Sequence, residues 1–220
     1  MKNETQILVI GNGMVGYKFC EKLKKKDPSG RFKITVLGEE PRPAYDRVHL
    51  SEYFATRSAD HLTMAPLEWY AENNINLVLG NPVVLIDREK KSVTTFSGDV
   101  YAYDKLILAT GSAAFVPPIK GVEKDGIYVY RTIEDLEMMI NQAQKSKVGA
   151  VIGGGLLGLE AAKALLDLGL KPHVIEFASR LMPRQLDEAG SKILQEKLES
   201  LSLSIHLNKS TSYFDGEESV

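Results

Sequence analysis

Ile7-Leu8-Val9-Ile10-Gly11-Asn12-Gly13-Met14-Val15-Gly16 decides the reading of this chain. Its unbroken apolar start is rich in β-branched residues, as expected of a strand buried on both faces of a parallel sheet. In the Gly-x-Gly-x-x-Gly turn that follows, the first glycine makes the tight bend and the second lets a pyrophosphate approach the backbone. The third lets helix and strand pack closely. Val15, Phe19 and Leu23 recur at four-residue spacing toward Asp27-Pro28-Ser29-Gly30, which predicts a helix closed by a turn. Ile34-Thr35-Val36-Leu37 is then a second buried strand, and the unit closes on Glu39.

The pattern starts again at Val148. Val148 to Ile152 predicts a buried strand, and Gly153-Gly154-Gly155-Leu156-Leu157-Gly158 opens a helix with Leu157, Ala161, Leu165 and Leu168 on one face. His173-Val174-Ile175-Glu176 closes this second unit. Between the two, residues 38 to 66 read as irregular, with Pro41 and Pro43 interrupting them. A short helix is expected near Leu67 to Asn73 and a strand at Ile75 to Leu79. Val83 to Ile86, Ser92 to Phe96 and Val100 to Tyr103 read as an antiparallel meander. Lys105 to Gly111 returns to the pattern of a buried strand, and Thr132 caps a helix through Leu136 and Ile140. A helix from Leu186 to Leu201 and a strand from Leu203 to Leu207 come last. The fold class is α/β, with two Rossmann-like dinucleotide-binding units in three layers. Each has a parallel sheet, and the first carries the meander. Pro117-Pro118 divides residues 1–117 from 118–220, a polar Asp215-Gly216-Glu217-Glu218 turn follows the last strand, and the second unit is expected to be incomplete, since two complete dinucleotide domains need roughly 300 residues and the chain has 220.

Composition narrows the function classes. Of 220 residues, 44% are apolar and 25% charged, which excludes a disordered tail, a collagen-like chain and a disulfide scaffold. A net charge of -2 predicts no strong attraction to nucleic acid or to an anionic membrane. Lys24-Lys25-Lys26 reads as a solvated helix end. The single cysteine, Cys20, forbids an intrachain disulfide, fits a reducing cytoplasm and leaves no readable metal site. No signal peptide is read at the amino terminus, and the apolar runs fall short of the roughly 20 residues that span a bilayer.

The chemistry lies in the two turns. Gly11, Gly13, Met14, Val15 and Gly16, with Glu39, are read as one dinucleotide site. Gly153, Gly155, Leu156, Leu157 and Gly158, with Glu176, are read as the other. Phosphates belong at the helix N-termini, where unpaired N–H groups and the dipole favour negative charge. A carboxylate at Glu176 accepts from ribose hydroxyls and repels a 2′-phosphate, favouring NADH over NADPH, although Arg180 nearby works against this. Two such sites in tandem suit hydride transfer from a nicotinamide to a flavin.

With these residues the chain resembles the two-dinucleotide flavoprotein reductases over its whole length. Within them it is most similar to the N-terminal flavin portion of the large subunits of NAD(P)H-dependent nitrite reductases. The diagnostic stretches are Glu40-Pro41-Arg42-Pro43-Ala44-Tyr45-Asp46-Arg47-Val48-His49-Leu50-Ser51, Gly153 to Ala162, and His173 to Ala178 continuing through Met182-Pro183-Arg184-Gln185-Leu186-Asp187. The resemblance implies FAD and NAD(H) as cofactors. It implies that Glu39 binds the adenosine ribose of FAD and that Val83 makes a backbone contact to adenine. Ala109, Thr110, Gly111 and Arg131 would contact FAD, and Glu40 and Arg47 would join the cofactor-binding set. Glu160 would be the acid near the flavin–nicotinamide contact and thus the catalytic candidate. Where related electron-transfer reductases carry Pro-Pro-Leu-Ser-Lys, this chain has Val48-His49-Leu50-Ser51-Glu52, which favours the nitrite-reductase branch. His49 reads more simply as a loop histidine than as a proton donor.

Cys20 stands alone and reads as a packed small hydrophobe, so thiol-based relatives are set aside and electrons would leave the flavin directly. In the family the acceptor is an iron–sulfur and siroheme centre that reduces nitrite, none of which lies in these residues, and full-length members add a dimerisation domain. Two other readings stay open: an NADH-dependent reductase of a rubredoxin- or ferredoxin-type carrier protein, and a truncated, non-catalytic fragment.

Overall fold

The computed structural model describes residues 4–216, so Glu217 and Glu218 of the expected terminal turn lie outside the described residues. In chain order the elements are β1 (Thr5–Ile10), α1 (Met14–Lys26), β2 (Phe32–Leu37), α2 (Tyr53–Thr56), α3 (Leu67–Glu72), β3 (Ile75–Val78), β4 (Val83–Asp87), β5 (Ser92–Thr95), β6 (Val100–Ala102) and β7 (Lys105–Leu108). They continue with α4 (Ile133–Ala143), β8 (Val148–Ile152), α5 (Leu156–Asp167), β9 (Lys171–Ile175), α6 (Glu188–Ser200) and β10 (Ser204–His206). The chain divides into two compact units. The first holds residues up to Arg47 together with Ala59–Ala113, and the second holds Val48–Ser58 and the residues from Ala114 onward. Among the described residues, no helix is long and apolar enough to cross a membrane.

In the first unit a parallel sheet runs β3-β2-β1-β7, and β4, β5 and β6 form a separate antiparallel sheet. The side chains of β1 alternate between two cores, as a pleated strand requires. Ile7 and Val9 pack with Ile34, Val36, Tyr17 and Cys20 on one face. Leu8 and Ile10 pack with Leu37 and with the meander residues Val93, Tyr101 and Tyr103 on the other. The unpatterned apolar run thus has the expected cause, burial on both faces. Asp27 caps the end of α1, its carboxylate accepting from the Phe32 N–H and the Ser29 hydroxyl, each at 2.9 Å.

Helical spacing misled in one respect. Val15 is 71% exposed, and the buried residues of α1 are Gly16, Tyr17 and Cys20. The apolar stripe begins one residue later because the turn's third glycine packs inward. β7 is also less buried than its apolar run suggested, since it forms the sheet edge and leaves Leu108 exposed.

In the second unit the parallel sheet runs β10-β9-β8. One face packs through Val151, Val174 and Ile205 onto Leu159 and Ala162 of α5 and Leu194 and Leu198 of α6. β8 is an edge strand, and Val148 and Ile152 on its other face are 54% and 45% exposed. The expected buried strand is therefore buried on one face only. Leu157 likewise is exposed, while Ala161 and Leu165 carry the buried side of α5. Thr132 forms the expected cap as a full capping box, with Thr132 Oγ1 accepting from Asp135 N at 3.1 Å and Asp135 Oδ2 accepting from Thr132 N at 2.8 Å.

Candidate dinucleotide sites

Both glycine turns have the geometry their spacing demands. Gly11 and Gly153 take φ of +105° and +113°, which side chains rarely adopt, and each donates its N–H to the end of the next strand, Leu37 O and Ile175 O, at 2.8 Å. Gly13 and Gly155 are extended N-caps, and a Cβ on either would meet nothing within 4 Å, so open space lies where a pyrophosphate needs to approach. A Cβ on Gly16 or Gly158 would stand 2.0 Å from the carbonyl oxygen of the first glycine of its own turn. Neither α1 nor α5 has a side-chain cap or an acidic residue in its first turn, leaving its N–H groups and dipole to an anion. The residues present fit a dinucleotide phosphate at both places.

The surroundings of the first turn differ from what spacing alone suggested. A Cβ on Gly11 would come within 2.2 Å of Ala109 O, because the end of β7 lies against the turn and Ala109 N donates to Ile10 O at 2.8 Å. Thr110 and Gly111 follow, both exposed, with Gly111 at φ +69°. Glu39 is exposed and stands one residue beyond Gly38, whose N–H donates to Val78 O at 2.7 Å. Glu40 and Arg47 form an ion pair, and the Tyr45 hydroxyl donates to Glu40 at 2.6 Å. The Arg47 guanidinium also lies 5.1 Å from the Tyr45 ring centre. Val83, beside a bulge at the start of β4, packs against the Leu8 core. Met14 is half-buried and Val15 exposed at the helix start.

At the second turn Glu176 sits against the glycines. One carboxylate oxygen accepts from Gly154 N at 2.6 Å and the other from Ala178 N at 2.7 Å. Leu156 and Leu157 are exposed. Arg180 donates to Pro183 O at 3.3 Å. Glu160 lies on α5, and its charge acts on Tyr130, whose phenol is pushed up to about 12 first by burial and then by Glu160. Phe54 stacks on Tyr130 with ring centres 6.1 Å apart, and Arg131 follows Tyr130 directly. His49 is exposed just before Leu50–Glu52. A cavity of about 590 Å³ beside Tyr53, Glu137 and Asp167 includes none of the residues read as a site.

Sequence reasoning missed Tyr130, Asn12 and Tyr70. Tyr130 had a signal, since it stands next to Arg131. Asn12 and Tyr70 had none, because their hydrogen bond joins residues 58 apart in sequence. Cys20 is fully buried, and burial pushes its thiol up to about 12, so it is no nucleophile at neutral pH.

Residues 5–220 match the sequence profile of the pyridine nucleotide-disulphide oxidoreductases. The chain belongs to this family. Among its relatives, the nitrite reductase (NADH) large subunit of Escherichia coli K12 is 47% identical over 209 residues, covering 95% of this chain and 25% of that protein. The chain thus spans about a quarter of the length of that relative, and its resemblance to nitrite reductase large subunits is borne out. A NAD-dependent persulfide reductase from A. fulgidus superposes with a TM-score of 0.89 at 26% identity, over 97% of this chain and 41% of that one. The NADH:rubredoxin oxidoreductase of Clostridium acetobutylicum superposes with a TM-score of 0.81 at 32% identity, over 94% and 54%. These family members share the Rossmann-like architecture found here.

Proposed function

We propose that this chain is the FAD- and NADH-binding entry module of a nitrite-reductase-type oxidoreductase, working in the cytoplasm, with residues 1–117 serving FAD and 118–220 serving NADH. The observation that carries the reading is the doubled turn, with three glycines in matching conformations at each copy and open space at Gly13 and at Gly155. FAD, when bound, supplies the chemistry of accepting a hydride from NADH and releasing electrons singly to an iron–sulfur and siroheme centre or to a carrier protein. The chain's own residues bind and orient. The N–H groups at the starts of α1 and α5 hold the two pyrophosphates. Glu39 and Glu176 hold the riboses, and Val83, Ala109, Thr110, Gly111 and Arg131 line the FAD. Glu40 and Arg47, paired to each other, shape the loop beside it. Glu160 is assigned to the flavin–nicotinamide contact.

The spare lone pairs of Glu176 remain for ribose hydroxyls while its charge disfavours a 2′-phosphate, which supports NADH over NADPH. The 32% identity to an NADH:rubredoxin oxidoreductase supports a second reading, reduction of a rubredoxin-type carrier, with the same two sites and a different acceptor. The test is reconstitution with FAD followed by the visible spectrum and NADH-driven ferricyanide reduction. Flavin bands and steady reduction are expected. A colourless protein after reconstitution would leave only the reading of a non-catalytic fragment.

A further inference from the structure

The two turns share a backbone but are fastened by different side chains. In the second, the strand supplies the fastener: Glu176, the residue after Ile175, accepts from Gly154 N. A Cβ on Gly154 would lie 3.2 Å from Glu176 Cβ and 2.6 Å from Leu181 Cδ2, so a larger residue would press on both. In the first, the residue after Leu37 is Gly38, and the side chain comes from the turn instead. A Cβ on Gly38 would lie 3.2 Å from Asn12 Cβ and 3.0 Å from Leu79 Cδ2. In each unit a leucine and one polar side chain fill the gap between turn and second strand, the polar one coming from the strand in the second unit and from the turn in the first.

Asn12 is tied to the core. Its Oδ1 accepts from the Tyr70 hydroxyl at 2.9 Å. Tyr70 is 2% exposed. The Tyr70 ring meets Trp69 edge-on at 5.0 Å, and Trp69 meets Tyr17 of α1 at 5.0 Å. Asn12 Nδ2, by contrast, is buried with no partner, an arrangement that costs stability. A buried, unpartnered amide nitrogen beside a turn read as a ligand site calls for an explanation.

We propose that Tyr70, acting through Asn12, is a positioning residue of the first turn. It fixes the Gly11–Gly13 segment in the conformation that presents Gly13 to a pyrophosphate, and it does so without setting a carboxylate beside the phosphates. The proposal rests on the reading that the first turn takes FAD. Holding the turn in its bound shape lowers the ordering cost of binding.

The test uses Tyr70→Phe, which keeps the buried ring, and Asn12→Ala, each in the full chain. FAD affinity is read by flavin fluorescence quenching and turn mobility by amide hydrogen exchange without FAD. Each variant should weaken FAD binding roughly three- to tenfold, the loss of one hydrogen bond. The double variant should be no weaker than either single one, since both break the same link. Exchange should quicken at residues 11–16 and stay unchanged at 153–158. Unchanged exchange at 11–16, equal quickening at both turns, or additive losses in the double variant would overturn the proposal. Absence of FAD binding by the unaltered chain would instead overturn the assignment of FAD to the first turn, and the exchange rates would still decide the positioning role.

Discussion

The first and second units carry the same glycine turn in different settings, and the difference separates what the turn needs from what its unit adds. Common to both are the positive φ at the first glycine, the open side of the second and the close packing of the third. The covering differs. Ile10, just before the first turn, is 8% exposed beneath the meander, whereas Ile152, just before the second, is 45% exposed. β7 closes over Gly11, while nothing among the described residues stands within 4 Å of a Cβ on Gly153. The turn is therefore a local device that forms without a strand on its far side. The extra strand adds steric exclusion, and the meander adds a second buried face.

The glycines offer the hardest test of this division. Gly11→Ala combines an unfavourable φ with a contact 2.2 Å from Ala109 O, and Gly153→Ala meets only the φ penalty. In chemical denaturation without cofactor, Gly11→Ala should cost on the order of 3 kcal/mol or more. Gly153→Ala should cost about 1–2 kcal/mol. Equal losses would mean that β7 yields freely, and the contrast between the turns would be lost. Next in size is the pair of isoleucines. Ile10→Ala empties a site buried against Leu37 and Val93 and should cost about 2–5 kcal/mol. Ile152→Ala removes a half-exposed side chain and should cost about 1 kcal/mol or less.

Glu176 sharpens the comparison from the second side. Because its carboxylate holds both Gly154 N and Ala178 N, replacing it does more than remove the ribose contact proposed for it. Glu176→Ala should weaken NADH binding by about 1.5–3 kcal/mol, read by titration, and should also loosen the turn, since hydrogen bonds to a charged group are lost. Glu39→Ala in the first unit, where the carboxylate is exposed and stands one residue farther on, should leave exchange at its turn unchanged. A Glu176 variant that weakened NADH yet left amide exchange at residues 153–158 untouched would show that the carboxylate serves only the ribose.

The strands, the two turns and the Thr132 capping box were legible because each is written in consecutive residues. Apolar runs, glycines at fixed offsets and a cap three residues from its partner require no knowledge of distant contacts. Exposure at β8 and β7 was not legible, since an apolar run records what a strand tolerates and leaves open whether a neighbour covers it. The facing of α1 and α5 misled because Val15 and Leu157 continue a four-residue spacing that the inward-packed glycines at 16 and 158 displace. The Asn12–Tyr70 link needs the fold to bring residues 58 apart together. The one-residue offset between two otherwise matching units, Glu176 directly after its strand and Glu39 set off by Gly38, names neither Asn12 nor Tyr70.

The gentlest test concerns high pH. Burial pushes the Cys20 thiol, the Tyr70 phenol and the Tyr130 phenol each up to about 12. In the unfolded chain these groups lose their protons at their ordinary values, about 8.5 for a thiol and 10 for a phenol. Between those values and 12 the folded state holds more protons than the unfolded one, so stability falls as pH rises. Below that window the contribution is fully present, and it is lost as pH climbs through the folded values. Two of the three groups lie in the first unit and one in the second. Urea midpoints compared at about pH 8 and about pH 11 should therefore fall, and the fall should shrink more in a Cys20→Ala, Tyr70→Phe double variant than in Tyr130→Phe. Equal shrinkage would mean that alkaline sensitivity does not follow the deeper burial of Cys20 and Tyr70 in the core that Ile7 and Val9 share with α1.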